Sequence, residues 1–138
     1  MPKVIAIDSG PLIALFDRDD SHHHRAMEFI KVLTEELVTN YAVVTEVTHL
    51  LDFSTRAQTD FLQWVLDGGV TVVDISPDDL RHIIDLVKKY ADLPVDFADA
   101  TLVALCDRLK IGDVASVDKH FAVYRTRDKR AFRNVFFK

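Results

Sequence analysis

The sequence predicts an α/β fold: a central parallel sheet with helices on both faces. Three observations carry this. Short apolar or β-branched runs alternate with longer segments of helical periodicity, no hairpin signal joins consecutive runs, and two of the runs end directly on an aspartate.

The elements follow in order. Lys3 to Ile7 reads as a short buried strand. Asp8-Ser9-Gly10-Pro11 is then a turn opening a helix with Pro at its first position, continued by Leu12 to Phe16. After the charged loop Asp17 to Asp20, Ser21 is the N-cap candidate for a helix with Ala26, Phe29, Ile30, Leu33 and Leu37 on one face. Leu37 to Thr39 offers a second strand. Tyr41 to Leu51 is a helix striped by Val43, Val47, Leu50 and Leu51, and Thr55 to Asp67 is another, ended by Gly68-Gly69. Val70 to Ile75 is a β-branched strand. Ser76-Pro77-Asp78-Asp79 starts a helix with Leu80, Ile83, Ile84, Val87 and Tyr90 at helical spacing. Phe97 to Leu109 is apolar nearly all round, as a central helix should be. Val114 to Val117 is a strand ending at Asp118, and Asn134 to Phe137 supplies a last edge strand.

Composition bounds the function. A chain of 138 residues, 49% hydrophobic, suits a single domain over 1–138 and excludes intrinsic disorder. Cys106 is the one cysteine, so a disulfide framework and a thiolate zinc site are excluded, and a buried structural thiol is expected. Val4 to Ile7 is too short for a signal-peptide core and Asp8 interrupts it. No apolar run approaches membrane-spanning length, so a cytoplasmic protein without a membrane is expected. His22-His23-His24 reads as an exposed helix end, because adjacent helical residues do not face one another. The net charge is −5, unevenly spread: the basic segment 125–138 carries six cations against Asp128, leaving −10 on residues 1–124. An acidic body with a basic tail suits a polyanion bridged by metal, an acidic peptide, or simply a solvated terminal face.

Two strands of one parallel sheet deliver Asp8 and Asp118 to the same carboxyl edge, where such sheets bind ligands. Glu46 lies on the border of an apolar stripe, and Asp99 sits in the first turn of the most hydrophobic helix. Buried carboxylates need partners, and few buried cations are available; Mg²⁺ or Mn²⁺ suits hard oxygen ligands. Each acid also has a plainer role. Asp8 suits a turn, Asp118 an N-cap, Asp96 and Asp99 a capping pair, and Glu46 a border position with its head in water.

The opening Ile7-Asp8-Ser9-Gly10-Pro11-Leu12-Ile13-Ala14-Leu15-Phe16, the Thr45-Glu46-Val47 helix segment, the run Asp99-Ala100-Thr101-Leu102-Val103-Ala104 and the ending Ser116-Val117-Asp118-Lys119-His120-Phe121 together resemble the PIN-domain ribonucleases. Within that family they look most like the VapC-type toxins of toxin–antitoxin systems, over residues 3–124. The resemblance implies a three-layer α/β/α fold and an Mg²⁺- or Mn²⁺-dependent endoribonuclease that hydrolyses RNA with metal-activated water. It places the family's acids on Asp8, Glu46, Asp99 and Asp118, makes Asp96 an auxiliary ligand, and gives Ser9 and Ser116 the hydroxyls that orient neighbouring carboxylates. An antitoxin protein is the implied partner.

Further expectations complete the reading. Arg125, Arg127 and Arg130, beyond the last strand of the site, are candidates for phosphate contacts with RNA. Phe61, Trp64 and Val65 form a stripe expected to pack in a homodimer or against an inhibitory partner. No serine sits beside a plausible histidine base, and His120 reads as a packing residue. A phospho-acceptor module is disfavoured because Asp8-Ser9 is not an acid pair. A scaffold used mainly for binding and a DNA-directed nuclease are the alternatives to RNA cleavage.

Overall fold

The computed structural model describes residues 3–93 and 95–137, so Lys138 of the basic segment lies outside the described residues. Five strands form one sheet: β1 (Val4–Ile7), β2 (Glu36–Thr39), β3 (Thr71–Val72), β4 (Asp113–Ala115) and β5 (Arg133–Asn134). Their spatial order is β3-β2-β1-β4-β5, and every pairing is parallel. The helices are α1 (Ser9–Phe16), α2 (His23–Val32), α3 (Tyr41–Leu50), α4 (Thr55–Leu66), α5 (Pro77–Lys89) and α6 (Phe97–Leu109), with a 3₁₀ turn at Lys119–Ala122.

The chain steps outward from β1 to β2 and β3, then returns to the other side of β1 for β4 and β5. Right-handed crossovers put helices made on the outward and return journeys on opposite faces, giving the three layers. The reversal also opens a crevice at the carboxyl ends of β1 and β4, the switch point where open sheets bind ligands. β1 is buried on both faces, which is why Ile5, Ala6 and Ile7 are all apolar. Helix α6 is enclosed from Ala98 to Cys106 without an exposed residue, as its all-round apolarity predicts. Among the described residues no helix is long and apolar enough to cross a membrane.

Several boundaries differ from the sequence reading, each for a local reason. Helix α1 begins at Ser9, so Pro11 is its third residue, where the missing N–H still costs nothing. Helix α2 begins at His23, and Ser21 is not its cap. Asp20 does that work, its Oδ1 accepting the His22 N–H at 2.8 Å and its carbonyl the His23 N–H at 3.0 Å. β3 is only Thr71–Val72, although the Val73 N–H still reaches the Thr39 carbonyl at 2.8 Å. In α3, Leu50 faces outward.

The stripe of α5 is rotated from its expected position. The Ser76–Asp79 capping box fixes the start, but Asp79 and His82 lie inside with Ile83 and Leu86, while Leu80, Ile84 and Val87 face out. Polar pairs with α6 impose this: Arg108 Nη2 lies 3.2 Å from Asp79 Oδ2, and His82 Nε2 lies 3.3 Å from Asp107 Oδ2.

The stripe on α4 also turns inward. Phe61 is fully buried, and Phe16 packs edge-on to both Phe61 and Trp64 at 5.6 and 5.8 Å. A Cβ at Gly69 would meet Trp64 Cε2 at 2.1 Å, so the indole closes over the Gly68-Gly69 turn. Phe61 of the patch expected to hold a homodimer or inhibitor is therefore core, Trp64 and Val65 are half-buried against it, and Leu62 and Leu66 are exposed beside them on α4. Trp64→Glu is expected to destabilise the fold by at least ~3 kcal/mol in urea denaturation. A stable, folded Trp64→Glu variant with altered association would reinstate the surface role.

Candidate active site

Asp8 stands where β1 ends and α1 begins. It occupies the N-cap position of α1 yet makes no side-chain capping bond, so its carboxylate is free for other work. Only 3% of the residue is exposed. Its N–H donates to the Ala115 carbonyl at 2.9 Å, extending the β1–β4 pairing, and the Ser116 hydroxyl donates to its Oδ2 at 3.0 Å. The other oxygen, Oδ1, is buried with no hydrogen-bond partner. The Asp118 N–H in turn donates to Ser116 Oγ at 2.9 Å, so one hydroxyl couples two of the proposed acids. A Cβ at Gly10 would meet Val117 Cγ2 at 2.1 Å, which is why only glycine lets the first turn of α1 rest on the segment leading to Asp118.

Glu46 projects from the second turn of α3, half-buried, and accepts a hydrogen bond from Ser9 Oγ. Asn40 sets where α3 starts: its Oδ1 accepts the Val43 N–H at 3.0 Å while its Nδ2 donates to Thr101 Oγ1 at 3.1 Å. The helix bearing Glu46 is thereby tied to the helix bearing Asp99. Asp99 is 5% exposed, and its N–H donates to the N-cap Asp96 Oδ1 at 2.8 Å. The Tyr124 hydroxyl lies 3.5 Å from Asp99 Oδ2. Asp118 Oδ1 accepts the His120 N–H at 2.9 Å and caps the 3₁₀ turn. Asp96 and Asp118 thus each perform the capping role with one oxygen and keep the second in hand. His120 stays beside Asp118, its Nδ1 at 3.4 Å, and packs its ring against Tyr124.

The carboxylates act on one another. Asp8 is pushed up to about 7, chiefly by burial and further by the charges of Glu46 and Asp96, against the opposing hydrogen bonds at Ser9 and Ser116. Asp99 is pushed up to about 9 by burial, then by Asp8, Asp96 and Asp118, whose carboxyl lies within hydrogen-bonding reach. The Tyr124 phenol is raised as well, again by burial first. Asp99 keeps its proton at neutral pH and Asp8 is poised to, because burial and the neighbouring carboxylates disfavour the charged forms. The donors of these acids are all hard oxygens and Asp8 Oδ1 is unpartnered, so the residues fit Mg²⁺ or Mn²⁺ in chemistry. The fit is not that of a closed cage, since among the described residues no three His, Cys, Asp or Glu side chains form a ready-made ion site.

The structure does not bring the arginines to these acids. Arg125 spends its guanidinium on the carbonyls of Ala122, Val123 and Tyr124 at 2.8, 2.9 and 2.9 Å. The Arg127 N–H donates to Asp107 Oδ1 at 3.0 Å, near the far end of α6, roughly 12 Å along the helix from Asp99. Arg130 pairs with Asp128 at 2.8 Å and lines a cleft with Asp113, where β4 starts and not where it ends. The tail doubles back, no ion pair joins these arginines to the four acids among the described residues, and phosphate contacts by them stay a proposal. Conversely, Asn40, Thr101, Tyr124 and Asn134 support the site without having been singled out. For Asn40 a signal existed, since Asn between a strand and a helix is an N-cap signature. Tyr124 carried none, because its contact spans separate elements.

Buried Asp8 and Asp99, with acidic neighbours at the switch point of an all-parallel sheet, make a candidate acidic α/β site. The chain belongs to the PIN domain family, whose model matches residues 5–127. Ribonuclease VapC26 of Mycobacterium tuberculosis is 28% identical over 124 residues, spanning 86% of this chain and 90% of that protein. The crystal structure of M. tuberculosis VapC20, described as a sarcin-ricin loop cleaving toxin, matches with a TM-score of 0.79 at 21% identity, over 86% of this chain and 93% of that one. A toxin–antitoxin complex from Klebsiella pneumoniae matches at 0.64 and 16% identity, over 83% and 87% of the two chains. VapBC2 of Rickettsia felis, bound to a DNA fragment from its promoter, matches at 0.63 and 10%, over 86% and 90%.

The raised acids give the metal-free protein a pH signature. Between the unfolded carboxylate value of 3.8 and about 7 for Asp8 or about 9 for Asp99, the folded state keeps protons that the unfolded chain has released. Stability is therefore full below that window and falls as pH rises through it. The melting temperature in chelator is expected to drop by ~5 °C or more from pH 5 to pH 9. Asp99→Asn should flatten this slope; a metal-free parent that gains stability across the range would contradict the electrostatic picture.

Proposed function

We propose that the chain is a metal-dependent endoribonuclease and the toxin of a VapC-type toxin–antitoxin pair, acting in the cytoplasm and held in check by an antitoxin protein. What supports the reading is that Asp8, with Oδ1 buried and unpartnered, feels the charges of Glu46 and Asp96, and Asp99 those of Asp8, Asp96 and Asp118. The ribonuclease and toxin names of the relatives support it.

In this reading Asp8, Asp99, Asp118 and Glu46 hold the ion, with Asp96 as an auxiliary ligand. When bound, Mg²⁺ or Mn²⁺ supplies Lewis-acid charge that activates water and shields the RNA phosphate from the carboxylates. The protein's own groups set the geometry. Ser116 fixes Asp8 by one oxygen and leaves Oδ1 open. Ser9 steadies Glu46, and the start of α6 presents Asp99 where the helix dipole favours negative charge. No side-chain nucleophile is required, and burial pushes the Cys106 thiol far above its ordinary range, so it stays protonated. An ion at the acids also lets a chain of net charge −5 hold a polyanion.

Cleavage of a structured RNA should require Mg²⁺ or Mn²⁺ and stop on addition of EDTA. Asp99→Ala should lower turnover by roughly 100-fold or more, a transition-state loss, whereas Asp96→Ala should leave measurable cleavage. Undiminished cutting in chelator would overturn the mechanism, and cutting of single-stranded DNA alone would replace RNA as substrate. An inverted ranking of the two variants would exchange the roles of Asp96 and Asp99.

A further inference from the structure

The last strand carries a residue with no place in the acidic cluster and an unusual set of bonds. β5 pairs with β4 for only two residues, Arg133 opposite Asp113 and Asn134 opposite Val114, and its backbone bonds end with the Val135 N–H on the Val114 carbonyl at 2.8 Å. Beyond that rung the Asn134 side chain takes over. Its Oδ1 accepts the Ser116 N–H at 3.3 Å and the Phe136 N–H at 3.1 Å, and its Nδ2 donates to the Ser116 carbonyl at 2.9 Å. One amide thus holds both backbone polar groups of Ser116, a residue with no exposed surface.

Ser116 is the residue on which two acids hang. Its hydroxyl has a single proton, donated to Asp8 Oδ2, and its lone pair receives the Asp118 N–H. The chain of bonds from Asp118 N–H through Ser116 Oγ–H to Asp8 Oδ2 therefore has one direction, and it leaves Asp8 Oδ1 unpartnered. Rotation or slippage of the Ser116 backbone would turn that hydroxyl and release both acids together. We propose that Asn134 is a positioning residue for the carboxylate site, pinning Ser116 and, through it, setting the orientation of Asp8 and Asp118. Asn is disfavoured in strands, and an apolar residue of similar size at 134 would fill the space while leaving the Ser116 N–H and carbonyl without this partner. The inference rests on the reading that these acids hold a divalent ion.

The test is calorimetric titration of the metal-free full chain with Mn²⁺, alongside the Mg²⁺ dependence of RNA cleavage. Asn134→Ala should weaken Mn²⁺ binding by roughly tenfold and raise the half-saturating Mg²⁺ to match, the effect of losing an outer support of metal ligands. KM for RNA at saturating Mg²⁺ should not change. Asn134→Asp keeps the two accepting bonds but sets a carboxylate oxygen against the Ser116 carbonyl in place of the donor, so it should weaken Mn²⁺ binding by about threefold or more. Arg133→Ala removes the Arg133–Asp113 ion pair from the same strand and controls for damage to the sheet edge. It should lower the melting temperature without moving Mn²⁺ affinity. Parental Mn²⁺ affinity in Asn134→Asp, equal weakening in Arg133→Ala, or no Mn²⁺ binding by the parent would each overturn the proposal. Should Asn134→Ala fail to fold, Asn134→Asp decides. A parent that binds Mn²⁺ and loses affinity in the Asn134 variants, yet cuts no RNA, would sink the ribonuclease reading alone.

Discussion

Burying like charges side by side is unfavourable, and the structure around Asp8 and Asp99 is arranged to make it possible. The two acids are 3% and 5% exposed, so water does little to shield them. What holds them is the stiffest part of the molecule. β1 is paired on both sides, α6 is enclosed along most of its length, and neither can relax to let the carboxylates part. Burial first, and the neighbouring carboxylates after it, are expressed as retained protons.

Around this centre, small polar side chains do more than the acids' own backbones. Thr39 Oγ1 reaches the Ile7 carbonyl at 3.0 Å, Asn40 links α3 to α6, and Ser116 links Asp8 to Asp118. The Thr39, Asn40 and Ser116–Asp8 bonds join elements that the chain separates widely and are buried, where an unmet partner would be costly. Arg125 belongs to the same scaffold: by capping three consecutive carbonyls after the 3₁₀ turn it fixes the strand of chain that presents Tyr124.

Much of this was legible in the residues. The strand leading into Asp8, the all-apolar α6 and the Ser76–Asp79 cap depend on short-range pattern, and pattern survives into the structure, whereas β4 stops at Ala115, short of Asp118. The failures arise where distant partners decide. Periodicity assigned α5 an apolar stripe, but Arg108 and Asp107 on α6 claimed part of its inner face for Asp79 and His82. Trp64 read as surface until Gly69 made room to cover it. The arginines after Tyr124 read as extending past the site, because nothing local announces the backbone bridge between Arg125 and Ala131 or the return to pair with β4. Asn134 was invisible for the same reason, since its role exists only in the register of two strands.

The bond between Ser116 and Asp8 spans 108 positions of sequence, and this bears on how the protein is made. A ribosome that has delivered β1, β2 and α3 has released two of the acids but none of the parts that set Asp8 in place. The acidic centre closes only after β4 has inserted beside β1. For a protein of destructive activity, topology of this kind acts as a timing device. Until β4 and the segment after it are made, Asp8 lacks the Ser116 hydroxyl and Asp118 is absent.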